Sequence, residues 1–143
     1  MRGGALEQGR TIMESRRATR DMFEVKRDGS GNVIPVTKTI EWEDGNYAIE
    51  VRPMSYGDIE SWNAKSKKKE GITAKEIALT LANHIADPDM SDYTEEKLRK
   101  DLKAMAVNTL LMAVLGASGM KGKVTVSEDM TATIELEEDE GNE

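Results

Sequence analysis

The stretch DYTEEKLRKDLKAMAVNTLLMAVLGASG, residues 92–119, is the segment most able to be buried on nearly every side. It begins with charged residues and becomes almost wholly apolar. Within residues 104–115 the only polar side chains are Asn108 and Thr109. A helix that is apolar all round belongs in a protein interior or against a partner. We therefore expect the rest of the chain to be organised around this stretch.

The ends of that helix are indicated by ordinary capping residues. Thr94 is a suitable N-cap, and Glu95 and Glu96 follow it where the helix dipole favours acidic side chains. Gly116 is the expected residue just past the last turn, and Gly119 reinforces the stop. The sequence predicts one helix between these signals.

Earlier in the chain, alternating residues predict a small antiparallel sheet over residues 23–51. A first hairpin is predicted over residues 23–36, around turn-forming residues at 27–32, and a second over residues 37–51. Alternation with period two places the apolar residues of the second hairpin on one face. These residues are Ile40, Trp42, Tyr47, Ile49 and Val51.

Two further helices are predicted from their first residues. Ser55 and Thr73 each precede an acidic residue at the third following position, which is the capping-box pattern. The boxes predict helices over residues 56–68 and 73–86. The fold class predicted is therefore α+β, with a small antiparallel sheet in the N-terminal half followed by a three-helix bundle.

The two ends of the chain differ in charge. Residues 1–27 carry seven basic and four acidic side chains, whereas residues 128–143 carry eight acidic and no basic ones. We predict a flexible basic arm or marginal helix at residues 1–22, an α+β domain at residues 23–119 and an acidic extension at residues 120–143. The sparse apolar residues of this extension favour an edge strand or a disordered tail. The opposite charges of the two ends also permit association between copies of the chain.

Composition argues against several functional classes. The chain has no cysteine, which excludes disulfides, thiolate nucleophiles and cysteine zinc sites. Its single histidine, His84, follows an apolar helical pattern and is interpreted as structural. No catalytic residue, metal ligand or cofactor site is predicted, and we expect a protein that is not an enzyme. The net charge of −7 argues against general nucleic-acid binding, and no apolar run is long enough to span a membrane.

Two parts of the sequence together resemble a known family. Residues 47–60, YAIEVRPMSYGDIE, are a predicted strand ending in V-R-P before a capped helix. Residues 84–119 contain H-I-A-D-P-D-M, then T-E-E-K-L, and then an apolar helix followed by A-S-G. In this order the segments resemble the small tail assembly chaperones of tailed phages and related prokaryotic viruses, over about residues 37–119.

The resemblance implies a function in virus assembly. Members of the family coat the tape measure protein, keep its long apolar helix soluble and help to recruit tail tube subunits. The resemblance also implies action in the host cytoplasm and absence from the mature virion. The alternatives are a small structural virion component, such as a tail or head-completion protein, and an unrelated regulatory binding module.

The apolar helix is the predicted partner-binding site, since few other elements are available to cover it. The residues assigned to this site are Leu110, Leu111, Met112, Val114 and Leu115. The same residues also fit a central core helix. If they are buried within one chain, the next candidates for partner binding are the lysines of residues 65–69 and the basic arm.

Overall fold

The computed structural model of the protein describes residues 16–137, which form a mixed α+β fold. One antiparallel sheet has the strand order β1–β2–β3, and β4 and β5 form a second, two-stranded sheet. The strands are β1 (Val36–Trp42), β2 (Gly45–Val51), β3 (Ile85–Asp87), β4 (Gly122–Val126) and β5 (Ala132–Leu136). The helices are α1 (Tyr56–Ser66), α2 (Ala74–His84), α3 (Glu95–Asp101) and α4 (Ala104–Ala117). The predictions for residues 1–15 and 138–143 lie outside the described residues.

The hairpin β1–β2 provides the sheet face that packs on the helices. Ile40 lies opposite Tyr47 across the two strands, and opposite residues in an antiparallel pair point to the same side. The apolar alternation predicted for this hairpin is confirmed. Its two-residue turn is Glu43–Asp44, in which Glu43 adopts the positive φ (55°) typical of tight hairpin turns.

The hairpin predicted over residues 23–36 does not form as a pair of strands. Arg20–Phe23 form a short 3₁₀ helix, and a single bridge joins Arg27 to Val33. An isolated hairpin is marginally stable in water unless it buries an apolar face. The side chains of this segment lie mostly in solvent, so it lacks such a face.

Both predicted capping boxes are confirmed. The Ser55 hydroxyl accepts a hydrogen bond from the Asp58 N–H (3.2 Å), and the Asp58 carboxylate accepts one from the Ser55 N–H (3.1 Å). At the start of α2, the Thr73 hydroxyl accepts from the Glu76 N–H (3.3 Å), and the Glu76 carboxylate accepts from the Thr73 N–H (3.0 Å). Each box satisfies two N–H groups that the first helical turn leaves unpaired.

Replacing Thr73 with alanine is expected to lower the free energy of unfolding by about 1 kcal/mol at neutral pH. Burial raises the pKa of Glu76, but hydrogen bonds from Thr73 and the Lys65 ammonium outweigh it and hold the pKa below its usual value. A carboxyl with a lowered pKa stabilises the fold above its unfolded pKa, and this contribution is lost as the pH falls through the folded pKa. Thr73→Ala should therefore cost less stability in acid.

Denaturant unfolding of the wild type and Thr73→Ala at about pH 7 and about pH 3 measures this difference, because an unperturbed glutamate titrates between the two. A loss of stability of the same size at both pH values would contradict the coupling of Thr73 to the Glu76 carboxylate. A larger loss of stability at the lower pH would contradict the predicted direction of the pH dependence.

Helix α2 ends at His84 rather than at the predicted Ala86, because residues 85–87 form the edge strand β3. Ile85 pairs with Val51 of β2. The four-residue spacing of Ile77, Leu81 and Ile85 predicts that Ile85 lies on the apolar face of α2, but pairing with β2 also buries its side chain. An apolar residue at position 85 therefore fits either a longer helix or strand β3, and the pairing with β2 decides between the two.

The single helix predicted within residues 92–119 is two helices. Leu102 and Lys103 are extended between α3 and α4, with ψ of 133° and 142°. In a continuous helix, Leu98 and Met105 would share a face, because they are seven residues apart. The break lets Leu98 remain fully buried while Met105 turns to solvent.

Helix α4 ends in a Schellman motif rather than at Gly116. Gly119, with φ of 79°, is the left-handed residue after the helix. The Met120 N–H donates to the Leu115 carbonyl (3.1 Å), and the Gly119 N–H donates to the Gly116 carbonyl (3.0 Å). These two bonds satisfy carbonyls that the last turn leaves free.

The C-terminal hairpin β4–β5 belongs to the main core. Val124, Ala132 and Ile134 are buried in the same apolar cluster as Leu111. Ile72 exchanges two backbone hydrogen bonds with Ala132 (2.8 and 2.9 Å), which ties the hairpin to the segment before α2. The boundary predicted at residue 119 therefore falls inside the packed unit. The predicted three-helix bundle is instead a set of four helices interrupted by β3 and covered by β4–β5.

Candidate protein-binding surfaces

Most of the predicted binding residues on α4 lie in the core. Leu110, Leu111, Val114 and Leu115 are buried, and only Met112 keeps substantial exposure, at 38%. The expectation of an open apolar surface at the four buried positions is therefore corrected. The covering elements are the sheet on one side and β4 on another, since α4 packs against β1, β2 and β4.

The outer side of α4 does expose a narrow apolar line. Met105 is 74% exposed, and Met112 lies two turns further along the same side. We call these two residues the methionine stripe. Asn108 is also exposed between them. Methionine is flexible and polarisable, and it suits a surface that must adapt to different partners.

Two lysines stand at the ends of the methionine stripe. Lys103, the residue before α4, lies over the ring of Trp42 (5.8 Å from the ring centre) and pairs with Glu43 (3.3 Å). Near the other end, the Cε of Lys38 lies 3.6 Å from where a Cβ on Gly116 would stand. Strand β1 therefore runs beside α4 and places Lys38 near one end of the helix, while Lys103 stands at the other end.

A second apolar surface is a groove between α2 and α3, with a volume of about 790 Å³. Its apolar residues are Ala78, Leu79 and Tyr93, and Leu79 is 52% exposed. The rim is charged, with Lys75 and Arg99 as cations and Glu95 and Glu96 as anions. We call this the α2–α3 groove.

The α2–α3 groove was not predicted from the sequence. The apolar pattern of α2 was assigned to Ile77, Leu81 and Ile85, and Leu79 falls off that face. A large aliphatic residue among the polar positions of an amphipathic helix was the available signal.

Residues 16–35, which we call the arm, are a third candidate binding surface. This segment shares only residues 16–22 with the basic arm predicted from the sequence. Phe23 is 78% exposed, and Met22 beside it is also exposed. Within the described chain, all hydrogen bonds and ion pairs found for residues 16–34 stay inside the segment. The arm therefore has its own turn structure but presents its apolar residues to solvent.

The lysines of residues 65–69 form a smaller charged surface than the sequence indicated. Lys65 pairs with Glu76 at 3.3 Å. Lys67, Lys68 and Lys69 remain exposed at the end of α1. Ser66, between them, is buried and bonds the backbone N–H of Ile134 (2.7 Å). These lysines consequently stand beside β5.

The segments on which the family resemblance rests meet in space. The Arg52 N–H donates to the His84 carbonyl (2.7 Å), and His84 Nδ1 lies 2.8 Å from the Arg52 carbonyl. A carbonyl only accepts, so His84 carries its proton on Nδ1. Ser118 in turn accepts from the Met54 N–H (2.8 Å). The V-R-P strand end, the histidine and the A-S-G helix end thus form one hydrogen-bonded junction, in which His84 is structural.

The titratable groups with shifted pKa values occupy exposed turns and helix surfaces. Hydrogen bonds from Ser127 and then Thr131 lower the pKa of Asp129, and those from Ser91 lower the pKa of Asp89. These are ordinary turn interactions of a carboxylate with nearby hydroxyl and N–H groups. Such shifts do not indicate a catalytic site.

Residues 16–137 contain neither a candidate metal-binding cluster nor a helix that could span a membrane. In this range there is no group of three or more His, Cys, Asp or Glu side chains placed to hold a metal ion. The helices of the same range are also too short or too polar to cross a membrane. Comparisons with protein-family models, curated proteins and solved structures found no match.

Proposed function

We propose that this protein is a tail assembly chaperone of a tailed phage or related prokaryotic virus. It binds the tape measure protein, keeps its apolar helix from aggregating, and helps to recruit tail tube subunits. It acts in the host cytoplasm and leaves before the virion is complete. The observation that carries the proposal is the methionine stripe on the outer side of α4.

The stripe suits an apolar helix as its client. Met105 and Met112 are two turns apart, so they form a ridge that can lie along a second helix. Two methionines can repack around successive apolar segments of a long client without requiring one sequence. Lys38 and Lys103 lie where they can attract acidic residues that flank such a segment.

The inner side of α4 also supports the proposal, because it holds the helix in place. Its buried residues anchor the helix to the sheet and to β4. The stripe is therefore presented on a rigid element, which lowers the ordering cost of binding. The junction of Arg52, His84, Met54 and Ser118 fixes the end of α4 against β2 and α1.

Co-expression with the tape measure protein encoded in the same genome tests the proposal. The wild-type chain is expected to raise the soluble yield of the tape measure protein and to be recovered bound to it. A double variant, Met105→Asp with Met112→Asp, is expected to lose this effect. Burial of a methionine contributes about 1.5–3 kcal/mol, so each substitution should weaken binding about tenfold or more.

Tyr56→Asp is the matched control, because Tyr56 is exposed on α1, outside both the methionine stripe and the α2–α3 groove. It should leave the solubility of the tape measure protein unchanged. If the wild type does not raise this solubility, the chaperone function is wrong. If Leu79→Asp in the α2–α3 groove abolishes it and the methionine double variant does not, the methionine stripe is not the binding surface. Stoichiometric amounts of the protein in purified virions would instead indicate a structural virion component.

A further inference from the structure

The arm and the α2–α3 groove have complementary chemistry. The arm offers Met22 and Phe23, both exposed, and the groove offers Leu79 and Tyr93 between charged walls. A groove of this volume lies in the range of sites that enclose several side-chain groups. It is therefore large enough to receive an aromatic side chain together with its neighbour.

The charges on either side of the apolar residues also match. In the arm, Arg20 precedes Met22–Phe23 and Glu24 follows. Across the groove, Lys75 stands on the α2 wall and Glu96 on the α3 wall, and neither forms an ion pair with another residue of the described range. Arg20 can therefore meet Glu96 while Glu24 meets Lys75.

The ion pair between Arg20 and Glu24 within the arm does not prevent these new contacts. Arg20 and Glu24 are 3.6 Å apart, and both side chains are largely exposed. Exposed pairs of this kind contribute little to stability, so they separate readily when better partners are available. Residues 16–35 carry five basic and three acidic side chains in a chain whose net charge is −7, which favours a general attraction between the arm and a second copy.

We propose that the arm of one copy binds the α2–α3 groove of a second copy, with Phe23 inserted beside Leu79 and Tyr93. In the described structure the side chain of Phe23 lies in solvent and the groove of the same chain is open, so a second copy is the occupant that this geometry favours. The arm is already folded into its turn, which reduces the ordering cost of association. This self-association does not depend on the proposed function.

Sedimentation analysis of the full chain over a range of concentrations tests the proposal. The wild type is expected to self-associate, less strongly at high salt, because part of the attraction is between exposed charges. Phe23→Ala and Leu79→Asp should each weaken association about 10- to 100-fold, since each removes one buried apolar contact. Tyr56→Ala is the matched control: Tyr56 is 80% exposed on α1, outside both surfaces, and its loss should change nothing.

Mixing the two variants gives a sharper result. Phe23→Ala retains an intact groove and Leu79→Asp retains an intact arm, so the mixture is expected to form pairs that contain one copy of each. Circular dichroism of each variant checks that it is folded. A wild type that stays monomeric, a Phe23→Ala variant that associates like the wild type, or a mixture that forms no pairs would overturn the proposal.

Discussion

Replacing Leu111 with alanine is expected to lower the free energy of unfolding by about 2–5 kcal/mol. The Leu111 side chain is fully buried, between the sheet and the C-terminal hairpin. Truncation removes its apolar contacts and leaves a cavity that the surrounding residues fill only partly. Because the stability of a domain is commonly about 5–15 kcal/mol, this is one of the largest losses a single substitution here can cause.

Met105→Ala is the matched comparison on the same helix. Met105 is largely exposed, so its truncation should change the free energy of unfolding by no more than about 0.5 kcal/mol. Urea unfolding followed by circular dichroism measures both variants. Equal effects of the two substitutions would contradict the division of α4 into a buried inner side and an open outer side.

Replacing Gly71 with alanine is expected to destabilise the fold by about 2–5 kcal/mol. Gly71 has φ of 73°, a conformation that costs an alanine about 1–2 kcal/mol. Its added Cβ would also stand 2.8 Å from the Ala132 carbonyl oxygen, closer than real Cβ contacts allow. Relieving this overlap should cost a further 1–3 kcal/mol or so, because the Ala132 backbone is held by its two bonds to Ile72.

Alanine substitutions at two other glycines separate the cost of the positive φ from the cost of the steric overlap. Gly119 also has a positive φ (79°) but has no atom within 4 Å of an added Cβ, so Gly119→Ala should show the conformational cost alone. Gly29 has neither constraint, and Gly29→Ala should cost little or nothing. Thermal and urea unfolding of the three variants should rank them in this order. A Gly71→Ala protein as stable as Gly119→Ala would contradict the close approach of Gly71 to Ala132 of β5.

Local signals in the sequence predicted local structure well. The capping boxes at Ser55 and Thr73 form because their hydrogen bonds involve residues only three apart. The β1–β2 hairpin forms because its short turn sets a register in which the apolar residues of both strands lie on the same face. The mixed α+β class follows from these elements, and the pattern of each could be read without knowing its neighbours.

Structure that depends on distant contacts was predicted poorly. Leu102 and Lys103 contain no helix-breaking residue, and the break there becomes favourable only when Leu98 is fully buried in the assembled core. Residues 122–136 were placed outside the domain because their apolar residues are sparse. Their hairpin covers one side of α4, which is why Leu111 and its neighbours are core residues. The residues predicted as a binding site therefore lie mainly on the buried side of α4.

The most direct test of the proposed function is a nuclear magnetic resonance titration with an apolar helix of the tape measure protein. The chain would carry carbon-13-labelled methionine methyl groups, which report separately on the exposed Met105 and Met112 and on the buried Met54 and Met90. We expect the Met105 and Met112 signals to shift or broaden on binding while the Met54 and Met90 signals stay in place. Binding that leaves the signals of Met105 and Met112 unchanged would contradict the proposed function.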